Sequence, residues 1–125
     1  MSTETKFNPV GEIEKVWGSE TLLVSNELYC AKFLTFAKAG NKFSMHFHMD
    51  KDETWIVQKG SFMLELIDTE DASTQRIPLS TNTSMRIYPG TIHQLEALED
   101  ESVILEVSTT DNPHDNYRVW PGVAK

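Results

Sequence analysis

Apolar, β-branched and aromatic side chains recur at every second position along much of this chain, a period that fits pleated strands and not helices. The runs Tyr29–Phe36, Phe62–Ile67 and Val103–Val107 show it most clearly. Turn residues separate such runs at short intervals: Ala39-Gly40-Asn41, Lys59-Gly60, Ser80-Thr81-Asn82, Tyr88-Pro89-Gly90 and Asp111-Asn112-Pro113. Many short strands in 125 residues predict one all-β domain over 1–125, a sandwich or a barrel. With 39% apolar residues, a chain of this length can bury a core that holds without disulfides or a structural metal. Met1–Lys6 and the few residues after Trp120 read as tails.

Charge narrows the partners. Lys and Arg number 11 against 19 Asp and Glu, a net charge of −8, so the clustered cations that nucleic acid or an anionic membrane surface would require are missing. Cys30 is the single cysteine and has no internal partner, which fits a reducing, cytoplasmic compartment. Met1–Lys6 lacks the apolar stretch of a signal peptide, and apolar runs such as Val103-Ile104-Leu105 are far too short to span a bilayer.

Lys59-Gly60 predicts a two-residue hairpin, which pairs Val57 with Phe62, Trp55 with Leu64 and Glu53 with Leu66. That face is apolar with a carboxylate at its end, and a buried carboxylate needs a partner. His46 and His48 lie just upstream at i and i+2, on one face of a strand and about 6.6 Å apart at ~3.3 Å per residue, so both imidazoles can reach one ion. Met49–Asp52 turn the chain back to Glu53, on the same inner face. A fourth ligand should come from a distant strand, and His93, after the tight turn at Tyr88-Pro89-Gly90, is the choice. Three imidazoles and a carboxylate suit Mn, Fe, Ni or Zn better than Mg or Ca.

These residues resemble the first motif of the cupin superfamily, Gly-x5-His-x-His-x4-Glu-x6-Gly, at Gly40, His46, His48, Glu53 and Gly60. All five fixed positions agree. The second cupin motif, Gly-x5-Pro-x-Gly-x2-His-x3-Asn, is met at Gly90 and His93, with Asn82, Tyr88 and Ala97 at its other three positions. Asn82 is the mildest departure, because asparagine tolerates a left-handed backbone. The resemblance covers about residues 30–108 and implies an antiparallel jelly-roll barrel. It also implies His46, His48, Glu53 and His93 as metal ligands inside that barrel, and a homodimer. The stretch Pro89–Glu96, with Glu106-Val107 following, is similar to the cupin domain of mannose-6-phosphate isomerases.

Other residues carry less. Trp55 shares the inward face of Glu53 and reads as core packing or as a wall of the substrate pocket; Ser44 shares the face of His46 and could meet a ligand. Val103, Leu105 and Val107 read as the inward set of their strand, which puts Glu106 outside, solvated or paired with Arg118; Glu65 falls outside as well. Trp17 and Trp120 read as packing for the terminal strands, Cys30 as a small buried hydrophobe, and His114 as a free imidazole in a turn-rich loop. No general acid or base can be named beyond a metal-bound water.

One cupin frame hosts many chemistries, so function must come from the site. The first expectation is a metal-dependent enzyme acting on a small polar metabolite, a sugar or sugar phosphate, by isomerisation or epimerisation, although no Lys/Arg cluster for a phosphate is evident. The alternatives are a mononuclear metal dioxygenase and a non-catalytic small-ligand-binding cupin.

Overall fold

The structure, a computed structural model, describes residues 10–125. Its eleven strands are β1 (Gly11–Lys15), β2 (Gly18–Ser25), β3 (Cys30–Phe36), β4 (Met45–Phe47), β5 (Glu53–Lys59), β6 (Ser61–Ile67), β7 (Thr74–Ser80), β8 (Ser84–Ile87), β9 (Ile92–Ala97), β10 (Ser102–Ser108) and β11 (Tyr117–Trp120). They form two antiparallel sheets, ordered β1-β2-β3-β10-β5-β8 and β11-β4-β9-β6-β7. The architecture is all-β, two facing sheets in the jelly-roll arrangement the sequence predicts. Among the described residues there is no helix, and therefore none long and apolar enough to cross a membrane.

Between the sheets lies a core of Trp17, Leu34, Phe36, Phe43, Trp55, Val57, Phe62, Leu64, Leu79, Ile87, Leu95, Ala97 and Ile104. Its aromatic members meet edge to face or tilted, as ring quadrupoles favour: Trp17 and Phe36 with centroids 4.6 Å apart, Phe36 and Phe62 at 5.1 Å, Phe43 and Trp55 at 5.8 Å. Phe43 links this aromatic set to the histidines, its ring centroid 5.1 Å from that of His46 and 6.0 Å from that of His93. Trp17 thus packs as expected, whereas Trp120 is 42% exposed.

Three expectations require correction. Lys59-Gly60 is not a hairpin tip, because β5 hydrogen-bonds to β10 and β8 while β6 hydrogen-bonds to β9 and β7. Gly60, at φ +77°, is the corner where the chain leaves one sheet for the other, and a Cβ there would lie 2.1 Å from Ser102 Oγ. Inward parity survives: Glu53, Trp55, Val57, Phe62 and Leu64 are all buried. Alternation reports which side of a strand faces the core, not which strand lies beside it. In β10 the parity itself is reversed, with Ser102, Ile104 and Glu106 buried and Val107 40% exposed. The reason is a second apolar face, since Leu105 is in register with Phe33 on one side and Ile56 on the other, on the outside of the sheet. Finally, the segment after Trp120 is docked and not a tail: Val123 and Lys42 exchange backbone hydrogen bonds of 2.9 Å, and the Lys125 N–H donates to Asn41 Oδ1. The reading of Met1–Lys6 lies outside the described residues.

Asn82 takes the left-handed conformation expected of it, at φ +68°. Ala97, at the place of the second motif's asparagine, is fully buried and joins the first motif through its backbone: its C=O accepts from Gly40 N–H at 2.8 Å and its N–H donates to Asn41 C=O at 3.0 Å.

Candidate metal centre

Sheet register brings the histidines together. His46 of β4 is paired directly with His93 of β9, so both side chains leave the sheet on the same face. His48 follows β4 by one residue, and the turn before β9 holds it there, the Gly90 N–H donating to the His48 carbonyl at 2.6 Å. One nitrogen from each of the three imidazoles lies within 4.8 Å of the other two. Ring centroids are 4.5 Å apart for His46 and His93 and 4.9 Å for His46 and His48.

Every one of these rings has its Nδ1 engaged by a backbone carbonyl: His46 by Ser44 at 2.7 Å, His48 by Asp115 at 2.6 Å, His93 by Thr91 at 2.8 Å. A carbonyl only accepts, so Nδ1 carries the hydrogen and each Nε2 presents a lone pair. Burial pushes all three below the usual imidazole range, His46 to about 4 and His93 well below it, with the neighbouring His46 adding to the effect of burial at His93. They are neutral, oriented donors, as a transition metal requires.

Glu53 enters from the opposite sheet. Its Oε1 accepts from Trp55 Nε1 at 2.6 Å, and its Oε2 stands 3.4 Å from His48 Nε2. Burial and then the nearby Glu106 raise its carboxyl to about 8. Glu53 Oε2 and His93 Nε2 are buried without a hydrogen-bond partner among the described residues. Two such orphans beside two further imidazole lone pairs fit a divalent cation, which would satisfy all of them at once and hold Glu53 ionised.

The centre opens into a cavity of about 470 Å³ whose wall is mixed, with Trp17, Leu34 and Phe43 beside a cluster of charged side chains. The Lys51 ammonium lies 2.8 Å from Glu106 and 3.2 Å from Asp111, and Lys32 lies 3.0 Å from Glu20 and 3.5 Å from Asp111. Lys51 and Glu106 are both buried, and the surrounding carboxylates raise the Lys51 ammonium above its ordinary range despite its burial. Arg118, in register with His46, also lines the cavity.

Ser44 lines the cavity, with its hydroxyl 3.2 Å from His46 Nδ1. Trp55 is 1% exposed, packs against His93 at 5.3 Å and reaches the centre through its hydrogen bond to Glu53. Glu65 faces Arg76 and Gln94 in neighbouring strands, away from the centre, and His114 is exposed. Cys30 is buried, which raises its thiol. Sequence reasoning missed Lys51, Glu106, Asp111 and Asp115. Only Glu106 left a signal, as a charge at period two from Ile104, masked by the apolar residues on the other face of β10.

Comparison with known proteins gives a consistent picture. Residues 3–111 match the family described as mannose-6-phosphate isomerase C-terminal. The chain is 33% identical over 85 residues to mannose-1-phosphate guanylyltransferase RfbM of Salmonella typhimurium, covering 68% of this chain and 16% of that protein. It therefore spans about a sixth of this curated relative. Among solved structures it is similar to the capsular polysaccharide assembling protein CapF of Staphylococcus aureus, with TM-score 0.77 and 19% identity over 91% of this chain and 33% of that one. Oxalate decarboxylase of Bacillus subtilis is similar to the same degree, with TM-score 0.77 and 16% identity over 88% and 30%. The Mn(II) centres of oxalate decarboxylase are the subject of a further solved structure.

Proposed function

Since this chain belongs to the mannose-6-phosphate isomerase C-terminal family, a cupin-type barrel, we propose that it is a metal-dependent protein acting on a sugar or sugar phosphate, with isomerase- or epimerase-like chemistry. The observation that carries this reading is the convergence of three Nε2 lone pairs beside the orphaned Glu53 Oε2, with His46, His48 and Glu53 facing a cavity that charged side chains also line. His46, His48, His93 and Glu53 would hold the ion, and their nitrogen-rich set suits Mn, Fe, Ni or Zn. When bound, such an ion supplies Lewis-acid polarisation of a carbonyl and a template for adjacent hydroxyls.

The cavity wall supports a polyhydroxylated ligand. Lys51, Lys32, Glu106 and Asp111 offer donors and acceptors side by side, which suits hydroxyls that both give and take hydrogen bonds. Arg118 supports an anionic end on that ligand. Ion pairs among the described residues engage Lys15, Lys32 and Lys51 but not Arg118, which faces the cavity from beside His46. A free guanidinium fork matches a phosphate or carboxylate. Fold thus assembles four cations, Lys15, Lys32, Lys51 and Arg118, that are scattered in the sequence. Cys30 as single cysteine supports a cytoplasmic location, and the outward apolar face at Phe33, Ile56 and Leu105 supports a homodimer.

The direct test is interconversion of mannose 6-phosphate and fructose 6-phosphate, followed by NMR on Mn- and Zn-loaded protein. Conversion abolished by His93→Ala and weakened in KM by Arg118→Ala is the expected result. Binding without turnover would make the chain a ligand-binding cupin, and substrate-dependent oxygen uptake would make it a dioxygenase.

A further inference from the structure

His46 and His93 take their Nδ1 acceptors from carbonyls two residues away in the chain, Ser44 and Thr91. His48 does not. Its acceptor is the carbonyl of Asp115, 67 residues away, in the loop between β10 and β11. The Asp115 carboxylate then binds the next three residues in succession: Oδ1 accepts from Met49 N–H at 2.7 Å, and Oδ2 accepts from the Asp50 and Lys51 N–H groups at 3.1 Å each. Four consecutive residues, His48 to Lys51, are therefore held by one residue that is 7% exposed.

We propose that Asp115 is the positioning residue of the metal centre, setting the tautomer of His48 through its carbonyl and the separation of His48 from Glu53 through its carboxylate. This inference rests on the reading that His46, His48, His93 and Glu53 bind a metal. The physical case is geometric. Met49–Asp52 is the turn that joins two ligands on opposite sheets, and three of its backbone N–H groups converge on one carboxylate, a nest that a negative charge stabilises. Removing the acceptor frees that turn, and with it the spacing of the two ligands. It also frees the loop that carries the Asp115 carbonyl, so the His48 ring loses its fixed orientation while His46 and His93 keep theirs. Partners that orient a metal-bound imidazole are worth about 10- to 100-fold in metal affinity.

The experiment is competitive titration of Mn(II) and Co(II) against a fluorescent chelator, using wild type, Asp115→Asn and Asp115→Ala, with thermal melting of each stripped protein as a folding control. Asn keeps the volume but turns an amide NH2 toward N–H donors, so both variants are expected to bind about 10- to 100-fold more weakly. Long-range 1H–15N NMR on the stripped proteins supplies the readout that a general loss of structure would not give. Wild type should show all three histidines with the proton on Nδ1, and the variants should lose that preference at His48 alone. A folded variant that binds metal as tightly as wild type overturns the proposal, and so does an Nε2–H tautomer at His48 in the wild-type protein, whether or not either variant folds. A flat wild-type titration overturns the metal reading itself and this inference with it.

Discussion

A buried carboxylate at Glu53 and a buried imidazole at His93, each with an atom that has no hydrogen-bond partner among the described residues, are stable together only if something else satisfies them. Glu53→Gln separates the two roles of that side chain. The amide oxygen can still accept from Trp55 Nε1, but the charge is gone. Metal affinity is expected to fall at least ~10-fold, about 1.4 kcal/mol, while the stripped variant melts no lower than stripped wild type at pH 7, because the amide is buried neutral without the proton uptake that Glu53 needs. Chelator competition and melting curves check both halves. At this scale the sequence was legible wherever the chemistry is local in the chain: His46, His48 and Glu53 sit at fixed short spacings, and parity turned all three inward. Asp115 was not legible, because its contacts lie 64 to 67 residues away and leave no periodic trace. Lys51 reads as a solvated turn residue until Glu106 and Asp111 are seen around it.

Strands were easier to find than to order. β3, β6 and β10 lie within a residue or so of the runs that predict them, yet β5 and β6 belong to different sheets despite a turn signal between them. Gly60 explains the false signal. Positive φ is common to a hairpin tip and a sheet corner, and here the close approach of Ser102 adds a second demand for glycine. Gly60→Ala is therefore expected to cost about 1–3 kcal/mol in urea unfolding, and a neutral result would mean the corner is looser than drawn. The inward charge on β10 makes a second prediction. Glu106→Ala breaks a buried ion pair and should cost about 3 kcal/mol, toward the low end for such pairs because Asp111 still faces Lys51. Replacing both partners, Lys51→Met with Glu106→Leu, should recover most of that loss. Equal instability of the single and double variants would show that packing, not the stranded charge, sets the cost.

For the whole molecule the centre appears as a pH dependence of the stripped protein. His46 is held at about 4 when folded, against an ordinary 6.5, so between those values the unfolded chain binds more protons and stability falls as pH drops. His48 and His93 shift in the same direction. Glu53, held at about 8 against an ordinary 4.5, acts oppositely: the folded state keeps a proton the unfolded chain releases, so stability falls as pH rises through that window. Above about 7, where the unfolded histidines have given up most of their protons, Glu53 dominates. Melting in chelator should therefore decline from about pH 7 to 8, and added Mn(II) should abolish the decline by holding Glu53 ionised. Metal content tests the centre most directly, measured by mass spectrometry on protein purified without a metal-affinity resin, beside the His46→Ala, His93→Ala double variant. Near-stoichiometric Mn, Fe, Ni or Zn in wild type and its loss in the variant is the predicted result. Equal trace metal in both, with no uptake when these ions are supplied, would contradict it.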